Sequence, residues 1–300
     1  MSQVVYAKGL TKSYGGFDAV KDVSFALEEN RIYGLLGRNG AGKTTIMNMI
    51  TAQTFPTRGE LKVFGEEPFE NGRVLSRVCI VKESQKYPDY FSVRDVLETA
   101  AMLFPNWDRA FAASLVEEFR LPVKRKMKKL SRGMLSSVGI VVGLASRAPL
   151  TIFDEPYLGL DAVARKIFYD RLMEDYTEHP RTVVLSTHLI DEASPLLEHL
   201  LVIDGGRILL DEDADELRGR AYSVAGTASK VEAFASGRED QVIARETFGS
   251  LASATLLGVM DEGTRRQAGS LNLELASVSV QQLIVHLTQE NTQRKAANDR

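Results

Sequence analysis

Several residue types and patterns that define particular protein classes are scarce or missing in this sequence. It has one cysteine, Cys79, which excludes a disulfide framework, and its four scattered histidines have no metal-ligand spacing. Its formal net charge of -3 argues against a nucleic-acid partner, because no basic excess is available to neutralise phosphates. No apolar stretch approaches the length of a membrane span, and the first residues lack a signal pattern. These absences predict a soluble cytosolic protein.

A phosphate-binding pattern is the feature around which the other motifs are spaced. It comprises nine consecutive residues: Gly37, Arg38, Asn39, Gly40, Ala41, Gly42, Lys43, Thr44 and Thr45. The glycines let the backbone turn tightly enough for successive N–H groups to face one anion, and the following helix adds its positive dipole end. Lys43 supplies charge for the outer phosphates, and the Thr44 hydroxyl can ligate Mg²⁺. The apolar run before the loop predicts the strand that this arrangement requires.

Two acidic residues follow the predicted buried strand Leu150 to Phe153, and a histidine follows the next one, Val183 to Ser186. A buried strand has little structural use for adjacent acids at its end. A site for Mg²⁺ and nucleotide needs both: Asp154 can bind the water shell of the metal, and Glu155 can accept a proton from attacking water. His188 lies at a strand end, where ligands bind in open α/β sheets.

The order of the predicted elements indicates an α/β fold with a P-loop NTPase core and an antiparallel β subdomain in residues 1–218. Helical periodicity at about 84–148 predicts an inserted helical subdomain. Residues 221–290 predict the order βαββαβ plus a final helix, which suits a small α+β, ferredoxin-like module. We expect this accessory domain to regulate the protein or aid dimerisation, and we expect the polar tail 291–300 to fray.

With these residues in place, the chain resembles the ATP-binding subunit of a prokaryotic ABC transporter over about residues 3–218. Tyr14 stands at the position of the base-stacking aromatic, although a turn aromatic can equally serve packing. The resemblance identifies the phosphate loop as Walker A, the strand ending at Asp154 as Walker B, Glu155 as the catalytic glutamate and His188 as the switch histidine. It also identifies residues 158–161, ending at Asp161, as the D-loop.

The signature segment departs from the family pattern. The family usually has Leu-Ser-Gly-Gly-Gln, whereas this chain has Leu-Ser-Arg-Gly-Met at residues 130–134. Ser131 and Gly133 are retained and can contact the γ-phosphate across a dimer, but Arg132 and Met134 replace a glycine and a glutamine. Such substitutions are familiar among exporter ATPases whose membrane subunit is a separate polypeptide.

The resemblance implies a Mg²⁺-dependent ATPase that acts as a homodimer, with two ATP molecules sandwiched head to tail. It implies a separate transmembrane permease as partner, a cytoplasmic location on the inner face of the cell membrane, and export of a drug-like, peptide or antibiotic compound. The main alternative is a soluble ABC-type ATPase that acts on a non-membrane partner. A plain P-loop kinase or GTPase would leave the signature segment, Asp161 and His188 unexplained. The presence of Glu155 and His188 argues against a non-hydrolysing sensor.

Two residues compete for the position that the family fills with a glutamine near the metal. Counting back without a gap from the helix start at Ser92 places Glu83 there, whereas choosing Gln85 requires deleting two loop residues. A carboxylate can reach the Mg²⁺ shell as well as an amide oxygen can. We therefore expect Glu83 to be a metal-site residue and Gln85 to be an ordinary loop residue.

Overall fold

The computed structural model describes residues 2–83 and 85–288 and divides them into two compact units. Unit 1 comprises the described residues up to His188 together with Leu196–Asp211. Unit 2 comprises Leu189–Pro195 and the described residues from Glu212 onward. The predicted fraying tail, 291–300, lies outside the described residues.

The strands of unit 1 form two sheets. They are β1 (Gln3–Tyr14), β2 (Phe17–Glu28), β3 (Ile32–Leu36), β4 (Arg58–Val63), β5 (Val78–Lys82), β6 (Leu150–Asp154), β7 (Thr182–Ser186), β8 (His199–Asp204) and β9 (Arg207–Asp213), which ends in unit 2. Strands β2, β1 and β4 form an antiparallel sheet, as the sequence predicts. The other sheet has the order β5-β6-β7-β3-β8-β9 and is parallel from β5 to β8.

The parallel sheet explains why its strands are uninterrupted apolar runs. Every residue of β3, β6 and β7 is buried, which is expected where helices and loops cover both faces of a parallel sheet. The carboxyl ends of neighbouring parallel strands lie at one edge of the sheet. The loops after β3, β6 and β7 therefore meet there, and they carry the phosphate loop, Glu155 and His188.

Helices accompany these sheets, including one that follows the phosphate loop as predicted. They are α1 (Lys43–Ile50), α2 (Gly72–Leu75), α3 (Val93–Leu103), α4 (Arg109–Glu118), α5 (Arg132–Ala145) and α6 (Ala162–Glu178). The predicted helical segment is confirmed by α3, α4 and α5, which begin at the N-cap residues Ser92, Asp108 and Ser131. In the part of the chain that the structure describes, none of the helices combines the length and the apolar character that a bilayer crossing needs.

Unit 2 contains a third sheet with helices. Its elements are α7 (Ile190–Ala193), α8 (Ala214–Leu217), β10 (Ala221–Thr227), α9 (Ala228–Ala235), β11 (Val242–Phe248), β12 (Leu251–Leu257), α10 (Glu262–Ser270), β13 (Glu274–Ser277) and a last helix described over 280–288. From β10 onward the element order is the predicted one. The sheet is antiparallel in the order β11-β12-β10-β13, and its core includes Tyr222, Phe234 and Leu256. The ferredoxin-like classification stays a prediction.

The division between the units differs from the predicted boundary at residue 218. Two segments assigned by prediction to the first domain, 189–195 and 212–218, pack within unit 2. Asp191 accepts a hydrogen bond from the Ser279 hydroxyl at 3.4 Å, and Arg218 donates to the Ser194 carbonyl at 2.6 Å. Unit 2 therefore includes the short helix that directly follows His188 in the chain.

Candidate functional site

A cavity of about 940 Å³ lies at the carboxyl edge of the parallel sheet in unit 1. Its walls include most of the phosphate loop, the two acids at the end of β6 and the histidine after β7. The lining residues are Tyr14, Phe17, Ala19, Arg38, Asn39, Gly40, Ala41, Gly42, Lys43, Thr44, Thr45, Asn48, Lys82, Glu83, Arg132, Asp154, Glu155, Leu158 and His188. The structure thus brings the predicted phosphate, metal and catalytic residues to one site.

Two glycines of the phosphate loop cannot be replaced without strain. Gly37 has φ +149, and a Cβ there would lie 2.2 Å from the carbonyl oxygen of Ile203. Gly42 has φ +115, and its Cβ would lie 2.7 Å from the carbonyl oxygen of Ala19. Positive φ and close backbone approach are the two conditions that select glycine. The loop geometry therefore explains the glycine spacing found in the sequence.

Lys43 is buried at the floor of this cavity. Its Nζ donates to the carbonyl oxygens of Gly37 at 2.6 Å and Arg38 at 3.4 Å, and it lies 3.9 Å from Oε1 of Glu155. Burial lowers the pKa of Lys43 from its ordinary value, and the carboxylates of Glu155 and Asp154 partly offset that effect. The ammonium group is thus held by loop carbonyls, close to the place where phosphate charge would bind.

A pair of oxygen-bearing side chains joins helix α1 to strand β6. The Thr44 hydroxyl donates to Oδ2 of Asp154 at 3.1 Å, and both residues line the cavity. A hydroxyl and a carboxylate at this separation are the hard oxygen donors that Mg²⁺ prefers. The residues present therefore fit the predicted metal site.

Glu155 has an unusual backbone conformation, and its two carboxylate oxygens have different surroundings. Its φ is +50, in the left-handed region that non-glycine residues adopt mainly where the surrounding structure imposes it, often at functional sites. Its Oε2 lies 2.9 Å from Nδ1 of His188, whereas its Oε1 is buried and has no hydrogen-bond partner among the described residues. Burial raises the pKa of Glu155, while the charges of His188 and Lys43 act in the opposite direction. Oε1 is therefore available to accept a proton.

The cavity also contains residues that the sequence analysis did not select. Phe17 is the cross-strand partner of Tyr14 on either side of a two-glycine turn, and both rings are exposed at the cavity. Lys82, at the end of β5, donates to Oδ1 of Asn48 at 2.5 Å. Phe17 could have been found from the hairpin alternation around Tyr14. Lys82 could have been found because it directly follows the apolar run Val78 to Val81, which predicts a strand of an α/β sheet.

Four predicted nucleotide-binding residues are not among those that line this cavity: Gly37, at the start of the phosphate loop, and Ser131, Gly133 and Asp161. Ser131 is the exposed N-cap of α5 and accepts from the Met134 N–H at 3.3 Å. Asp161 is the exposed N-cap of α6 and accepts from the Ala164 N–H at 2.8 Å. A Cβ at Gly133 would lie 2.6 Å from the carbonyl oxygen of Gly159, so the signature and D-loop segments pack on each other.

The comparisons with known proteins agree with this geometry. A family model described as "ABC transporter" matches residues 20–158. The bacitracin transport ATP-binding protein BcrA of Bacillus licheniformis is 30% identical over 223 residues, which cover 73% of each chain. This chain belongs to the ABC transporter family of ATP-binding subunits. The predicted family and its ABC ATPase core are therefore confirmed, and the chain is an ABC ATPase whose ATP hydrolysis is coupled to transport.

Other matches support the same assignment. The Nod factor export ATP-binding protein I of Rhizobium leguminosarum bv. viciae is 35% identical to this ABC subunit over 205 residues, or 66% of each chain. A solved structure described as the ATP binding subunit of an ABC transporter has a TM-score of 0.65 and 26% identity, and the match covers 71% of this chain and 91% of that one.

In this ABC subunit, two residues that depart from the family pattern, Arg132 and Glu83, contact each other. The guanidinium group of Arg132, in the signature segment, forms an ion pair with the carboxylate of Glu83. Gln85 instead turns back on its own loop, where its amide oxygen accepts from the Lys82 N–H at 3.4 Å. Among the described residues, no three His, Cys, Asp or Glu side chains are placed to hold one metal ion. The role of Glu83 at the metal therefore stays a prediction.

Proposed function

We propose that this chain is the Mg²⁺-dependent ATP-hydrolysing subunit of an exporter. It acts as a homodimer that binds a separate transmembrane permease and drives transport through it. The observation that carries the proposal is the cavity in which the phosphate loop, the Thr44–Asp154 pair, Glu155 and His188 meet. These are the parts that hydrolysis of a nucleoside triphosphate needs: an anion cradle, a metal position, a base and a polar group for the γ-phosphate.

Each part has a defined task in this proposal. The loop N–H groups and Lys43 bind the phosphates, and Tyr14 or its neighbour Phe17 stacks on the purine base. Thr44 and Asp154 hold Mg²⁺, which supplies positive charge that neutralises the phosphate oxygens when it is bound. Oε1 of Glu155 accepts the proton of the attacking water. His188 donates a hydrogen bond to the γ-phosphate and stabilises the charge that develops there.

A single chain supplies only part of a closed site. Ser131, Gly133 and Asp161 are absent from the residues that line the cavity, although two of them are exposed at helix starts. A helix N-terminus attracts anions because its first N–H groups are unpaired and its dipole is positive there. We infer that each cavity is completed by the signature and D-loop of a second copy, so that two ATP molecules bind head to tail.

The direction of transport and the kind of cargo are inferred from the relatives. One is named for Nod factor export and another for bacitracin transport. We therefore propose export of a drug-like, peptide or antibiotic compound, with this subunit on the cytoplasmic face of the cell membrane.

We also propose that the module at 221–290 regulates the ATPase or aids dimerisation. This proposal is supported by the composition of unit 2, in which α7 and the module belong to one compact unit. Gln281, in the last helix, accepts from the Asp191 N–H at 3.3 Å. Since α7 directly follows His188 in sequence, a movement of the module that displaced α7 would be transmitted along the backbone to the switch histidine.

Co-purification tests the transporter part of the proposal. We expect a tagged chain, isolated from detergent-solubilised membranes of its own source, to carry a polytopic membrane protein at a fixed ratio that mass spectrometry identifies. A tagged 221–290 fragment is the matched control, and we expect it not to retain that protein. A soluble assembly or nucleic acid recovered in place of a membrane protein would contradict the proposal and favour the non-membrane ATPase.

The metal-site prediction compares two single substitutions. We expect Glu83→Ala to raise the Mg²⁺ concentration needed for half-maximal hydrolysis roughly tenfold, the scale of a lost metal-supporting group, and Gln85→Ala to leave it unchanged. Mg²⁺-dependent binding of a fluorescent ATP analogue gives a readout that does not depend on turnover. Arg132→Ala breaks the ion pair but keeps the Glu83 carboxylate, so it shows whether the effect of Glu83→Ala comes from the lost ion pair or from the lost carboxylate. If Gln85→Ala weakens Mg²⁺ dependence and stimulation by the permease while Glu83→Ala preserves both, the amide is the coupling residue.

A further inference from the structure

The hydroxyl group of Tyr157 lies between the two proposed catalytic side chains. Tyr157 is 3% exposed and follows β6 in the loop that carries Glu155. Its hydroxyl hydrogen-bonds to Oε2 of Glu155 and lies 2.8 Å from Nδ1 of His188. It also accepts from the backbone N–H of His188 at 2.9 Å. One buried hydroxyl therefore contacts the end of β6 and the end of β7 together.

The hydrogen-bonding capacity of the three groups fits one arrangement. The Tyr157 oxygen accepts from the His188 backbone and donates its single hydrogen to Oε2 of Glu155. Both ring nitrogens of His188 then carry a proton, and Nδ1 donates to the same carboxylate oxygen, at 2.9 Å. This arrangement leaves Oε1 of Glu155 to receive a proton from water. It also leaves Nε2 as the ring nitrogen of His188 that can reach a phosphate.

The loop around Tyr157 holds it in this position. The Leu158 N–H donates to the Glu155 carbonyl at 3.2 Å, and the Leu160 N–H donates to the Tyr157 carbonyl at 3.0 Å. The rings of Tyr157 and His188 meet edge to face with centroids 5.3 Å apart. Aromatic packing of this kind and two backbone turns restrict both rings. The hydroxyl is therefore preorganised, which is the condition for orienting a neighbouring catalytic group.

We propose that Tyr157 is a positioning residue that fixes the rotamer of Glu155 and the ring orientation of His188 for ATP hydrolysis. This inference rests on the proposed roles of Glu155 and His188. The hydroxyl supplies no proton to the reaction. It holds Oε2 of the carboxylate so that Oε1 is left for the proton of the attacking water, and it fixes the His188 ring with Nδ1 against the carboxylate and Nε2 as the nitrogen that donates to the phosphate.

The test is Tyr157→Phe, which keeps the ring and removes only the hydroxyl. We expect kcat to fall roughly tenfold to a hundredfold, the usual effect of losing an orienting hydrogen bond, with KM and the affinity for a fluorescent ATP analogue unchanged. Tyr176→Phe is the matched control, since the Tyr176 hydroxyl donates to the Asn30 carbonyl at 2.6 Å and is not part of the cavity. We expect that variant to keep wild-type turnover.

A double variant separates positioning from general stabilisation of the fold. If Tyr157 acts through Glu155, Tyr157→Phe should cause little further loss in a Glu155→Gln background, because residues that act as a unit are not additive. Wild-type kcat in Tyr157→Phe, or a full further loss in the double variant, would overturn the inference. Unchanged hydrolysis in Glu155→Gln alone would overturn the proposed role of Glu155 instead, so the two failures are distinguishable.

Discussion

Replacing Glu155 with glutamine is expected to reduce ATP turnover by roughly a hundredfold to ten-thousandfold, the range typical of a lost acid/base group. The amide keeps the size and shape of the side chain but cannot accept the proton of the attacking water. Oε1 of Glu155, which has no hydrogen-bond partner among the described residues, is the atom whose basicity is lost. ATP binding should persist, because the phosphate loop and the Thr44–Asp154 pair are unchanged.

Phosphate release under saturating Mg²⁺-ATP and equilibrium binding of a fluorescent ATP analogue check the two halves of this expectation. Glu174→Gln is the matched control: it makes the same substitution on the outer surface of α6, where Glu174 pairs with Arg171 at 2.5 Å. That variant should hydrolyse ATP at the wild-type rate. Hydrolysis at the wild-type rate in Glu155→Gln would contradict the assignment of the base.

Ser131→Asp is expected to abolish ATP-driven dimerisation while leaving ATP bound to each separate chain. Aspartate caps a helix about as well as serine does, so α5 should keep its start. In the proposed dimer, however, the new carboxylate would face the γ-phosphate bound to the other copy. Like charges brought together at an interface cost several kcal/mol, which corresponds to dimerisation weakened roughly a hundredfold or more.

Light scattering in a Glu155→Gln background, where bound ATP persists, measures this effect directly. We expect twice the monomer mass with Mg²⁺-ATP, and monomer mass once Ser131→Asp is added. Ser114→Asp adds the same charge to the same subdomain, but there Arg171 donates to the Ser114 hydroxyl at 3.0 Å and can neutralise it. This control should still dimerise. A Ser131→Asp chain that dimerises normally would show that the signature segment does not face the phosphate of a second copy.

Local patterns were sufficient to predict the elements of the core. The strands β3, β6 and β7 are buried on both faces. Strands of this kind are continuous apolar runs, so their composition is enough to predict them. The phosphate loop was predicted because its glycines answer a local backbone requirement, which the φ values of Gly37 and Gly42 show. The helix start at Ser92 was predicted on the same local ground.

The boundary between the units could not be predicted in the same way. The sequence changes character after residue 218, but the packing of 189–195 with the last helix joins residues about ninety positions apart. A single sequence contains no signal for a contact of that kind, since the local pattern of a segment does not identify the distant segment it packs against. For the same reason the sequence does not predict the ion pair between Arg132 and Glu83, although each residue departs visibly from the family pattern.

The motifs and their order predict the family through resemblance. The chemistry of phosphate binding restricts residue type at fixed spacing along one loop and two strand ends, so the same motifs predict an α/β core and most of the cavity residues. Only the assembled fold specifies which atoms meet. It placed the Tyr157 hydroxyl between Glu155 and His188, and it left Oε1 of Glu155 without a hydrogen bond from the described residues. Side-chain orientation depends on contacts among β6, β7 and their loops, which lie far apart in the chain, and so it arises only when the sheet is assembled.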